Sequence, residues 1–534
     1  MDWNNGYVAD IAYPAGFFPE QSPTHLSVAC ILNGVEPPPP DRPFTYFELG
    51  AGVGLTAAVL AASHPHGRFF ANDFQPAHVS AAQAMIDDAR LDNLTMLESS
   101  FADLANGLVD LPPLDYITMY GVYSWVNAEN RRHIVDFIAR YLKPGGVVFV
   151  NYNAMPGGSG VGPLQRLMLD YADSNPGPRD AQIDGARDLV DQMIAAGARH
   201  FDGNAALTHR LRSLREDNVQ FLVHEYLNHG AEPLYHADVA RQMALAKLDY
   251  VGPADPSAAI GAIVPDARER ALLASCHDPL LRETLRDFLR NTVFRDDVMV
   301  RGARRMAPHR QQFWLAQLGV ARLTLAQDDD SADALPRDTD PAQAEMLREP
   351  LRALMRALPN GAPIGLAALA ALPGLEGQGL AGVARLAALL TSGRRAVFCF
   401  LDSVVGVADP APAARLNRVI ARHAVHEDRF HVLASPVLGT GLPAGLVQRL
   451  VLGALTETRV GETVDGGWIN DRAADDAALA AALSERIAPQ LAGQLARAKG
   501  VAAEQLQAVL FELPGTVAAI VRLRVPVWRA QEVL

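Results

Sequence analysis

The first third of the chain alternates between short apolar runs and longer segments with helical periodicity. Segments with a helical pattern occupy residues 54–65, 76–91 and 128–142. Five apolar runs between and around them predict strands: FTYFELG (44–50), GRFFANDF (67–74), LTMLESS (94–100), LDYITMYGV (114–122) and GGVVFVNYN (145–153). Strands that alternate with helices predict an α/β fold, a doubly wound and mostly parallel sheet with helices on both faces. Ligands of such folds bind beyond the carboxyl ends of the strands.

The remainder of the chain has mainly helical periodicity. Residues 161–229 predict a helical insertion, which we also consider as a dimerisation element, and residues 236–255 predict one more helix and strand. The acidic, turn-rich stretch DDDSADALPRDTDP (328–341) is typical of a linker. Beyond it, an alanine- and leucine-rich segment predicts two helices joined by a turn at 359–361, and VFCFL (397–401) predicts a buried strand.

Length and charge narrow the class of protein. A chain of 534 residues is too long for one ordinary core, and about two to four domains are expected. The formal net charge is −13, yet residues 346–534 hold 19 basic and 16 acidic residues, so the negative charge belongs to residues 1–345. An acidic first part disfavours nucleic acid as a partner and would attract a cationic substrate, although acidity that only promotes solubility is an equal alternative.

Cysteine usage and hydropathy predict a cytoplasmic protein. Cys30, Cys276 and Cys399 are far apart, which argues against a disulfide framework and a local Cys-x-x-Cys metal site and suits a reducing compartment. No apolar run approaches the roughly 18–20 uncharged residues of a membrane span, and the N-terminus lacks the pattern of a secretion signal. We therefore predict no membrane association.

A glycine-rich loop follows the first predicted strand. Gly50, Gly52 and Gly54 alternate with other residues, Glu48 precedes them, and Asp73 ends the second predicted strand. Glycine lets a backbone turn sharply and approach a ligand closely. A strand, a glycine loop and a helix, followed some twenty residues later by an acid, form a nucleotide-binding arrangement in which the acid accepts ribose hydroxyls. A dinucleotide site would need its third glycine at Leu55, so this loop favours a different nucleotide-like ligand.

The pattern Glu48-x-Gly50-x-Gly52-x-Gly54 resembles the first motif of class I S-adenosylmethionine-dependent methyltransferases. An acid before the loop suits a cationic sulfonium cofactor, although Glu48 could also only cap the loop amides. The resemblance places Asp103 at the adenine amino group, with Phe101 and Ala102 against the ring, and KPGG (143–146) resembles the turn into the fifth strand. The cofactor residues that it implies are Glu48, Gly50, Ala51, Gly52, Asp73, Phe74, Phe101, Ala102, Asp103 and Tyr120.

Further segments resemble a narrower bacterial family, methyltransferases with a methyltransferase regulatory domain. This family includes protein-lysine methyltransferases that act on outer-membrane proteins. HVLASPVLGTGLP (431–443) resembles their winged-helix C-terminal part, and family members often carry His where Tyr120 stands. The segments that carry the resemblance are YPAGFFPEQSPTHL (13–26), MYGVYSWV (119–126), VNYNAMPGG (150–158), VHEYLNHGAEPLYHADVARQMALAKLDYVG (223–252) and RDFLRNTVFRDDVMVR (286–301).

The resemblance implies a seven-stranded methyltransferase sheet with a helical insertion and an α-rich, winged-helix-like C-terminal domain. It also implies S-adenosylmethionine as cofactor and the lysines of a protein, including an outer-membrane protein, as acceptors; a homodimer is a further expectation. The expected divisions are a methyltransferase core (1–160), the insertion (161–229), the rest of the core with the regulatory region (230–305), a middle segment with the linker (306–345) and the C-terminal domain (346–534).

Aromatic residues near the ends of the fourth and fifth strands are the candidate acceptor pocket. The rings of Tyr120, Tyr123, Trp125 and Tyr152 would attract the charge that moves from sulfur to the attacking nitrogen. The alternative is that these residues only pack beneath a lid. A lysine amine, with an ordinary pKa of about 10.4, must lose a proton before attack, and desolvation in such a pocket would lower its pKa.

Two N-terminal features complete the predicted site. Tyr13 and the segment PEQSPTH (19–25) are expected to fold over the cofactor as a cap, unless they form an ordinary surface arm. A tyrosine oxygen, or a water held by Glu20 or Asn153, would carry the acceptor's proton away.

No metal site is predicted. His64 and His66 fall in a loop that we interpret as solvated. Glu225 and His229 would share a helix face, but we interpret that pair as structural. Two other functions stay open at this point, a methyltransferase for a small metabolite and a non-catalytic cofactor sensor.

Overall fold

The computed structural model describes residues 15–201, 205–261, 266–324, 335, 339–461, 474–497 and 503–534. Tyr13, the first residue of the predicted cap, lies outside the described residues, and so does most of the predicted linker at 328–341.

A seven-stranded sheet forms the centre of the first half of the chain, as predicted. Its strand order is β3-β2-β1-β4-β5-β7-β6. The first five strands pair in parallel, and β7 runs antiparallel to both β5 and β6. The five strands of the alternating pattern are confirmed, whereas β7 was not identified as a strand. The strands are β1 (Thr45–Leu49), β2 (Arg68–Asp73), β3 (Leu94–Glu98), β4 (Leu114–Met119), β5 (Leu142–Asn153), β6 (Leu248–Pro253) and β7 (Phe294–Arg301).

The first helices cover the sheet. Gly54, in the left-handed region, is the N-cap of the second helix, and all nine residues of that helix are buried. Pro76 begins the third helix, as predicted, because proline at the first position needs no amide donor. A short fourth helix, which the pattern did not indicate, begins at Phe101. These helices are α1 (Pro23–Leu32), α2 (Leu55–Ser63), α3 (Pro76–Ala89), α4 (Phe101–Asn106) and α5 (Ala128–Tyr141).

The segment predicted as a helical insertion is helical and has a hydrophobic core of its own, which includes Leu164, Met168, Ile183, Leu222 and Tyr226. The next helices connect it to β6 and β7. The helices of this part are α6 (Gly162–Ser174), α7 (Arg179–Ala195), α8 (Ala205–Glu216), α9 (Val219–Tyr226), α10 (His236–Ala244), α11 (Pro256–Ala259), α12 (Ala267–Ser275) and α13 (Pro279–Arg290).

The C-terminal region is mainly helical, with two small sheets. The predicted strand at 397–401 is present, and it pairs with a strand from the middle segment, 306–345, so that this segment is not only a connection. The winged-helix assignment stays a prediction. The strands are β8 (Leu318–Arg322), β9 (Ile364–Gly365), β10 (Ala396–Phe400), β11 (Val432–Ser435) and β12 (Thr440–Pro443). The helices are α14 (Pro308–Ala316), α15 (Pro341–Ala357), α16 (Leu366–Ala370), α17 (Gly379–Ser392), α18 (Asp402–Val405), α19 (Ala411–Ala424), α20 (Leu446–Gly461), α21 (Ala474–Arg497), α22 (Ala503–Leu523) and α23 (Val525–Ala530).

One stretch of the described chain, Glu504–Ala530, is long and apolar enough to cross a membrane, with a mean hydropathy of 1.5. The sequence analysis did not identify it. Its residues Leu513, Val517, Ile520 and Val521 are buried in the protein core. Only 22% of its most apolar window is buried, however, and Phe511 is 89% exposed. Helix α22 therefore packs one face along α21 and leaves another face exposed.

The C-terminal region shares its main hydrophobic core with the seven-stranded sheet. Helix α19 packs on α2 and α3, and the hairpin β11–β12 packs on α2. At the tip of the hairpin, the Gly439 carbonyl accepts a hydrogen bond of 2.6 Å from Ser22 Oγ, the N-cap side chain of α1. The hairpin therefore fixes the point at which the N-terminal segment enters its first helix.

The loop that contains His64 is covered by this hairpin. His64 Nδ1 lies 2.9 Å from the Leu60 carbonyl, and its Nε2 lies 3.0 Å from Thr24 Oγ1. Burial lowers the pKa of His64 to about 3. The interpretation of this histidine as part of a solvated loop is therefore wrong; the imidazole is a neutral, buried contact between α1, α2 and the hairpin.

We expect Gly439→Ala to destabilise the protein. Gly439 has a φ of +59°, and an added Cβ would overlap the Thr24 hydroxyl. The substitution should lower the free energy of unfolding by about 1–3 kcal/mol, the usual range for local backbone strain. Thermal and urea unfolding would measure the change. Gly445→Ala is the matched control, because an added Cβ there meets no atom within 4 Å. Equal stability of the two variants would contradict the close contact between Gly439 and Thr24.

Candidate functional site

The glycine loop, residues 50–54, adopts a conformation that requires glycine. Gly50, Gly52 and Gly54 have φ values of +67°, +56° and +72°, in the left-handed region that side chains disfavour. The end of β2 holds the loop in place. Ala51 N donates to the Asn72 carbonyl at 2.8 Å, and Gly52 N donates to Asp73 Oδ2 at 2.9 Å.

The three glycines have different surroundings. A Cβ on Gly50 would lie 2.7 Å from a Val122 methyl, and one on Gly54 would lie 2.9 Å from the Cβ of Ala82. A Cβ on Gly52 would meet no atom within 4 Å. The first and third glycines therefore permit close packing, whereas Gly52 borders the space in which a ligand can approach the backbone.

Asp73 has a fixed carboxylate at the end of β2. Besides the Gly52 amide on Oδ2, its Oδ1 accepts from Gln75 N at 2.9 Å and lies 3.3 Å from His78 Nδ1. These contacts orient the carboxylate beside the loop, and both oxygens keep lone pairs for further donors. Its role as acceptor of ribose hydroxyls stays a prediction.

The remaining predicted cofactor residues lie along the same edge of the sheet. Ser100 and Asp103 form a reciprocal capping box at the start of α4, in which Asp103 Oδ2 accepts from Ser100 N at 3.0 Å and from Ser100 Oγ at 2.7 Å. Ala51 is a partly buried residue of the glycine loop, and Phe74, Phe101 and Ala102 are partly buried at the ends of β2 and the start of α4. The structure thus brings the predicted donor-site residues to one edge of β1, β2 and β3.

Glu48 is a buried carboxyl beneath this edge. Its Oε1 accepts from Gln21 Nε2 at 3.0 Å. Burial raises the pKa of Glu48 to about 8, although the Gln21 side chain and the Ala57 amide act in the opposite direction. Its second oxygen, Oε2, is buried and has no hydrogen-bond partner among the described residues. Glu48 thus contacts Gln21 and the Ala57 amide of α2, and its role beside the cofactor stays a prediction.

Residues 18–21, which we call the cap segment, lie over the ends of β1 and β4. The Phe18 ring stacks on the Tyr120 ring, with 3.6 Å between centroids and 13° between planes. Phe18 N donates to Thr56 Oγ1 at 3.3 Å, and Gln21 reaches Glu48 as described. These contacts agree with the predicted cap, except that residues 23–25 begin α1 and contact the hairpin and the sheet instead.

Two of the predicted acceptor-pocket residues lie beneath the site. Tyr123 is 0% exposed and its hydroxyl donates to Gln242 Oε1 at 2.6 Å. Tyr152 is 1% exposed and its hydroxyl donates to Asp297 Oδ2 at 2.6 Å. Their assignment to the pocket lining is corrected, because both hydroxyls are already bonded inside the core. Tyr120 and Trp125 are only partly buried and stay candidates for that lining.

A buried charge network that sequence reasoning missed supports Tyr152. Asp297 is buried and lies 3.0 Å from His236 Nδ1 and 3.0 Å from Arg295 Nε, and Arg295 Nη1 lies 2.7 Å from Asp287. Burial acts to raise the pKa of Asp297, but Arg295 and His236 hold it below its usual value. This network joins α10, α13 and β7, whose residues are far apart in sequence, so the motifs gave no signal for it.

The histidines considered as metal ligands lie apart. Helix α9 ends at Tyr226, so the expectation that Glu225 and His229 share a helix face is wrong. Glu225 pairs with Arg210 at 2.7 Å, and His229 pairs with Asp173 at 3.1 Å. Within the part of the chain that the structure describes, no group of three or more potential ligands could hold a metal ion.

Comparisons with known proteins agree with this geometry. Residues 47–148 match the family model of a methyltransferase domain, and residues 218–301 match that of a predicted methyltransferase regulatory domain. The Synechocystis protein sll1526 is 32% identical over 452 residues, which are 85% of this chain and 88% of that protein.

Two solved structures share the fold over nearly the whole chain. PKMT2 from Rickettsia typhi in complex with AdoHcy is 19% identical, with a TM-score of 0.67, and PKMT2 alone is 18% identical, with a TM-score of 0.65. Each comparison covers 98% of this chain and 99% of the other.

We expect Gly52→Ala to weaken binding of S-adenosylmethionine at least tenfold, a loss of about 1.4 kcal/mol. The added methyl group would enter the space beside the loop, and the positive φ would strain the backbone. Titration calorimetry would measure the Kd. Gly145→Ala is a matched control, because Gly145 has a φ of +80° and open space around its Cβ position but lies near the start of β5, at the end of that strand away from the predicted cofactor residues. Equal loss in both variants would mean that strain alone is responsible.

We also expect Glu48→Gln to change the pH dependence of stability. The folded-state pKa of about 8 lies above the ordinary value of 4.5, so between these values the unfolded chain releases a proton that the folded protein keeps. The free energy of unfolding of the wild type therefore falls as pH rises through this window. The variant has no titrating group at position 48, so its free energy of unfolding should fall less between pH 5 and pH 8. Urea unfolding at both pH values would measure this, with the exposed Glu98→Gln as control. An equal loss of stability between pH 5 and pH 8 in the wild type and in Glu48→Gln would contradict the raised pKa of Glu48.

Proposed function

Because the chain belongs to the family of S-adenosylmethionine-dependent methyltransferases that carry a methyltransferase regulatory domain, we propose that its acceptors are lysine side chains of a protein. The enzyme uses S-adenosylmethionine as methyl donor. The acceptor class is the proposed step.

The charge and shape around the site carry this proposal. Methyl transfer is an in-line displacement, in which the nitrogen must approach the methyl carbon to about 3–3.5 Å from the side opposite sulfur. The rings of Phe18 and Tyr120 lie beside the cofactor loop, and partly exposed Phe294 lies 6.4 Å from Tyr120 between ring centroids. Such rings attract a cationic group and exclude water from it, which suits a long aliphatic amine such as lysine.

The surroundings of this site favour a protein over a free metabolite. Exposed apolar side chains lie next to Phe294 at the end of α13 and the start of β7; these are Phe288, Leu289 and Val293. Apolar side chains that are grouped at the surface are typical of sites that bind another protein. The likeness to PKMT2, a protein-lysine methyltransferase, extends over the whole chain and supports the same acceptor class. An outer-membrane protein as substrate, a homodimer and a cytoplasmic location stay predictions.

We expect transfer of the labelled methyl group to lysine residues of proteins from the native host. Mass spectrometry would locate residues heavier by one or more methylene units. The matched control is the same extract after reductive dimethylation of its lysines, which should lose the signal, alongside a protein-free metabolite extract, which should give none. Label that enters only the metabolite extract, or that survives lysine blocking, would contradict a lysine acceptor and favour a small-molecule methyltransferase.

We expect Trp125→Ala to lower the methylation rate at least tenfold and to leave the Kd for S-adenosylmethionine within about threefold of the wild type, since tenfold corresponds to about 1.4 kcal/mol of transition-state stabilisation. Trp125 is partly buried and lies in the segment that follows the carboxyl end of β4. Single-turnover rates and calorimetry would separate the two effects. The control is Trp314→Phe, because Trp314 packs in a separate core cluster with Leu315 and Val320. An undiminished methylation rate in Trp125→Ala would show that Trp125 does not line the acceptor pocket.

A further inference from the structure

Three polar or aromatic residues stand side by side at the carboxyl edge of the sheet, next to the cofactor loop. Asn151 on β5 pairs with Asp296 on β7, and Tyr120 follows the last registered pair between β4 and β5, Met119 with Val150. The face of the sheet that they share also carries Phe149 and Val298, which belong to one core cluster. Tyr120, Asn151 and Asp296 therefore form a row across three neighbouring strands.

The cap segment covers this row. Phe18 stacks on Tyr120 at one end of it. Glu20, two residues further along the cap segment, lies close enough to Asp296 for its charge to act on that carboxyl. Glu20 and Asp296, which we call the acidic pair, thus approach each other from the cap and from the sheet.

Buried polar atoms around the acidic pair lack hydrogen-bond partners. Asn151 is 0% exposed; its Oδ1 accepts from Gly121 N at 2.7 Å, and its side chain is near enough to Asp296 to act on the pKa of that carboxyl. Asp296 Oδ1 is also buried and has no partner in hydrogen-bond geometry among the described residues. Because buried polar groups are almost always paired, this oxygen can accept a hydrogen bond from a ligand.

The acidic pair identifies the chemistry of that ligand. Asp296 Oδ1 accepts hydrogen bonds when its carboxyl is ionised, and Glu20 adds a second carboxylate close to it. A primary ammonium group offers three donors and a positive charge, and its aliphatic stem suits the rings of Phe18, Tyr120 and Phe294. An anionic or purely apolar ligand would leave these oxygens unpaired.

We propose that Glu20 and Asp296 bind the ammonium group of the acceptor lysine, and that Asp296 accepts the proton which the amine loses before attack. This inference rests on the proposed function and names the residues that receive its substrate. The proton moves from the ammonium to the Asp296 carboxylate, leaving a neutral amine. The amine nitrogen then bonds to the methyl carbon as the carbon–sulfur bond breaks, and Asp296 later returns its proton to water.

The electrostatic surroundings of Asp296 agree with this role. Burial raises its pKa to about 7, with further contributions from the charges of Glu20, Asp297 and Asp255, while Asn151 acts to lower it. A carboxyl with this pKa can hold or release a proton near neutral pH, as proton transfer to and from an acceptor requires. An arriving ammonium charge also compensates the repulsion between the two members of the acidic pair.

Binding of a lysine analogue to the protein saturated with AdoHcy tests the site without catalysis. The probe is Nα-acetyl-lysine methylamide, with its Nε-acetylated form as the neutral control ligand. The wild type should bind the charged probe more tightly than the neutral one in titrations followed by NMR. Glu20→Gln and Asp296→Asn should each weaken the charged probe at least tenfold and leave the Kd for AdoHcy within threefold. Asp238→Asn, which removes an exposed carboxylate of α10, is the matched control.

Kinetics on a lysine-containing protein separate this inference from the proposed function. In Asp296→Asn, kcat/KM should fall at least tenfold, and the acidic limb of its pH profile near pH 7 should disappear, whereas Glu20→Gln should act mainly through KM. Wild-type rates and probe affinities in both variants would overturn the acidic pair and leave the lysine acceptor intact. Probe binding that depends on Asp296, without methyl transfer to any lysine, would instead overturn the proposed function and support the site.

Discussion

The attachment of the glycine loop to the end of β2 is the constraint on which the site depends. Asp73 holds the Gly52 amide and the Asn72 carbonyl holds the Ala51 amide, so two hydrogen bonds tie the loop between β1 and α2 to the end of β2. That conformation requires left-handed φ values that glycine adopts without a steric cost. It fixes the start of α2, and because α2 is buried on every side, it also fixes the surface on which the C-terminal region packs.

The arrangement of the predicted cofactor residues along one edge of the sheet could be predicted from the sequence, because these residues are local. The glycine loop, Asp73 and Asp103 follow three consecutive strands, and each is recognisable by its spacing. Strand β7 was missed because Arg295 and Asp297 give its buried face a polar pattern, and only their mutual pairing permits that burial. Tyr123 and Tyr152 were misplaced for a related reason, since an aromatic residue at a strand end can line a pocket or anchor its floor, and the partners that decide this, Gln242 and Asp297, are distant in sequence.

The proposed acceptor side of the site could not be predicted as a unit, because its residues are about 130 and 145 positions apart in the sequence. Glu20, Asn151 and Asp296 come from the cap segment, β5 and β7, and no short motif contains two of them. The pairing of β7 between β5 and β6 brings them together, which is a property of the topology. The regulatory-domain segment, residues 218–301, therefore contributes strand β7 to the sheet and a carboxylate to the proposed acceptor site.

The hydrogen bond between Ser22 and Gly439 joins the N-terminal segment to the C-terminal region. Ser22 directly follows Gln21, whose side chain is bonded to Glu48. Recombination between relatives would separate these partners, because Ser22 and Gly439 are 417 residues apart in the sequence. A hybrid that inherits its C-terminal half from another lineage would need compatible residues at 22, 24 and 439 to keep its cap in place. The N-terminal segment and the β11–β12 hairpin are thus expected to be inherited together. New substrate ranges in the family should therefore arise more readily by gradual change of the intact chain than by exchange of its domains.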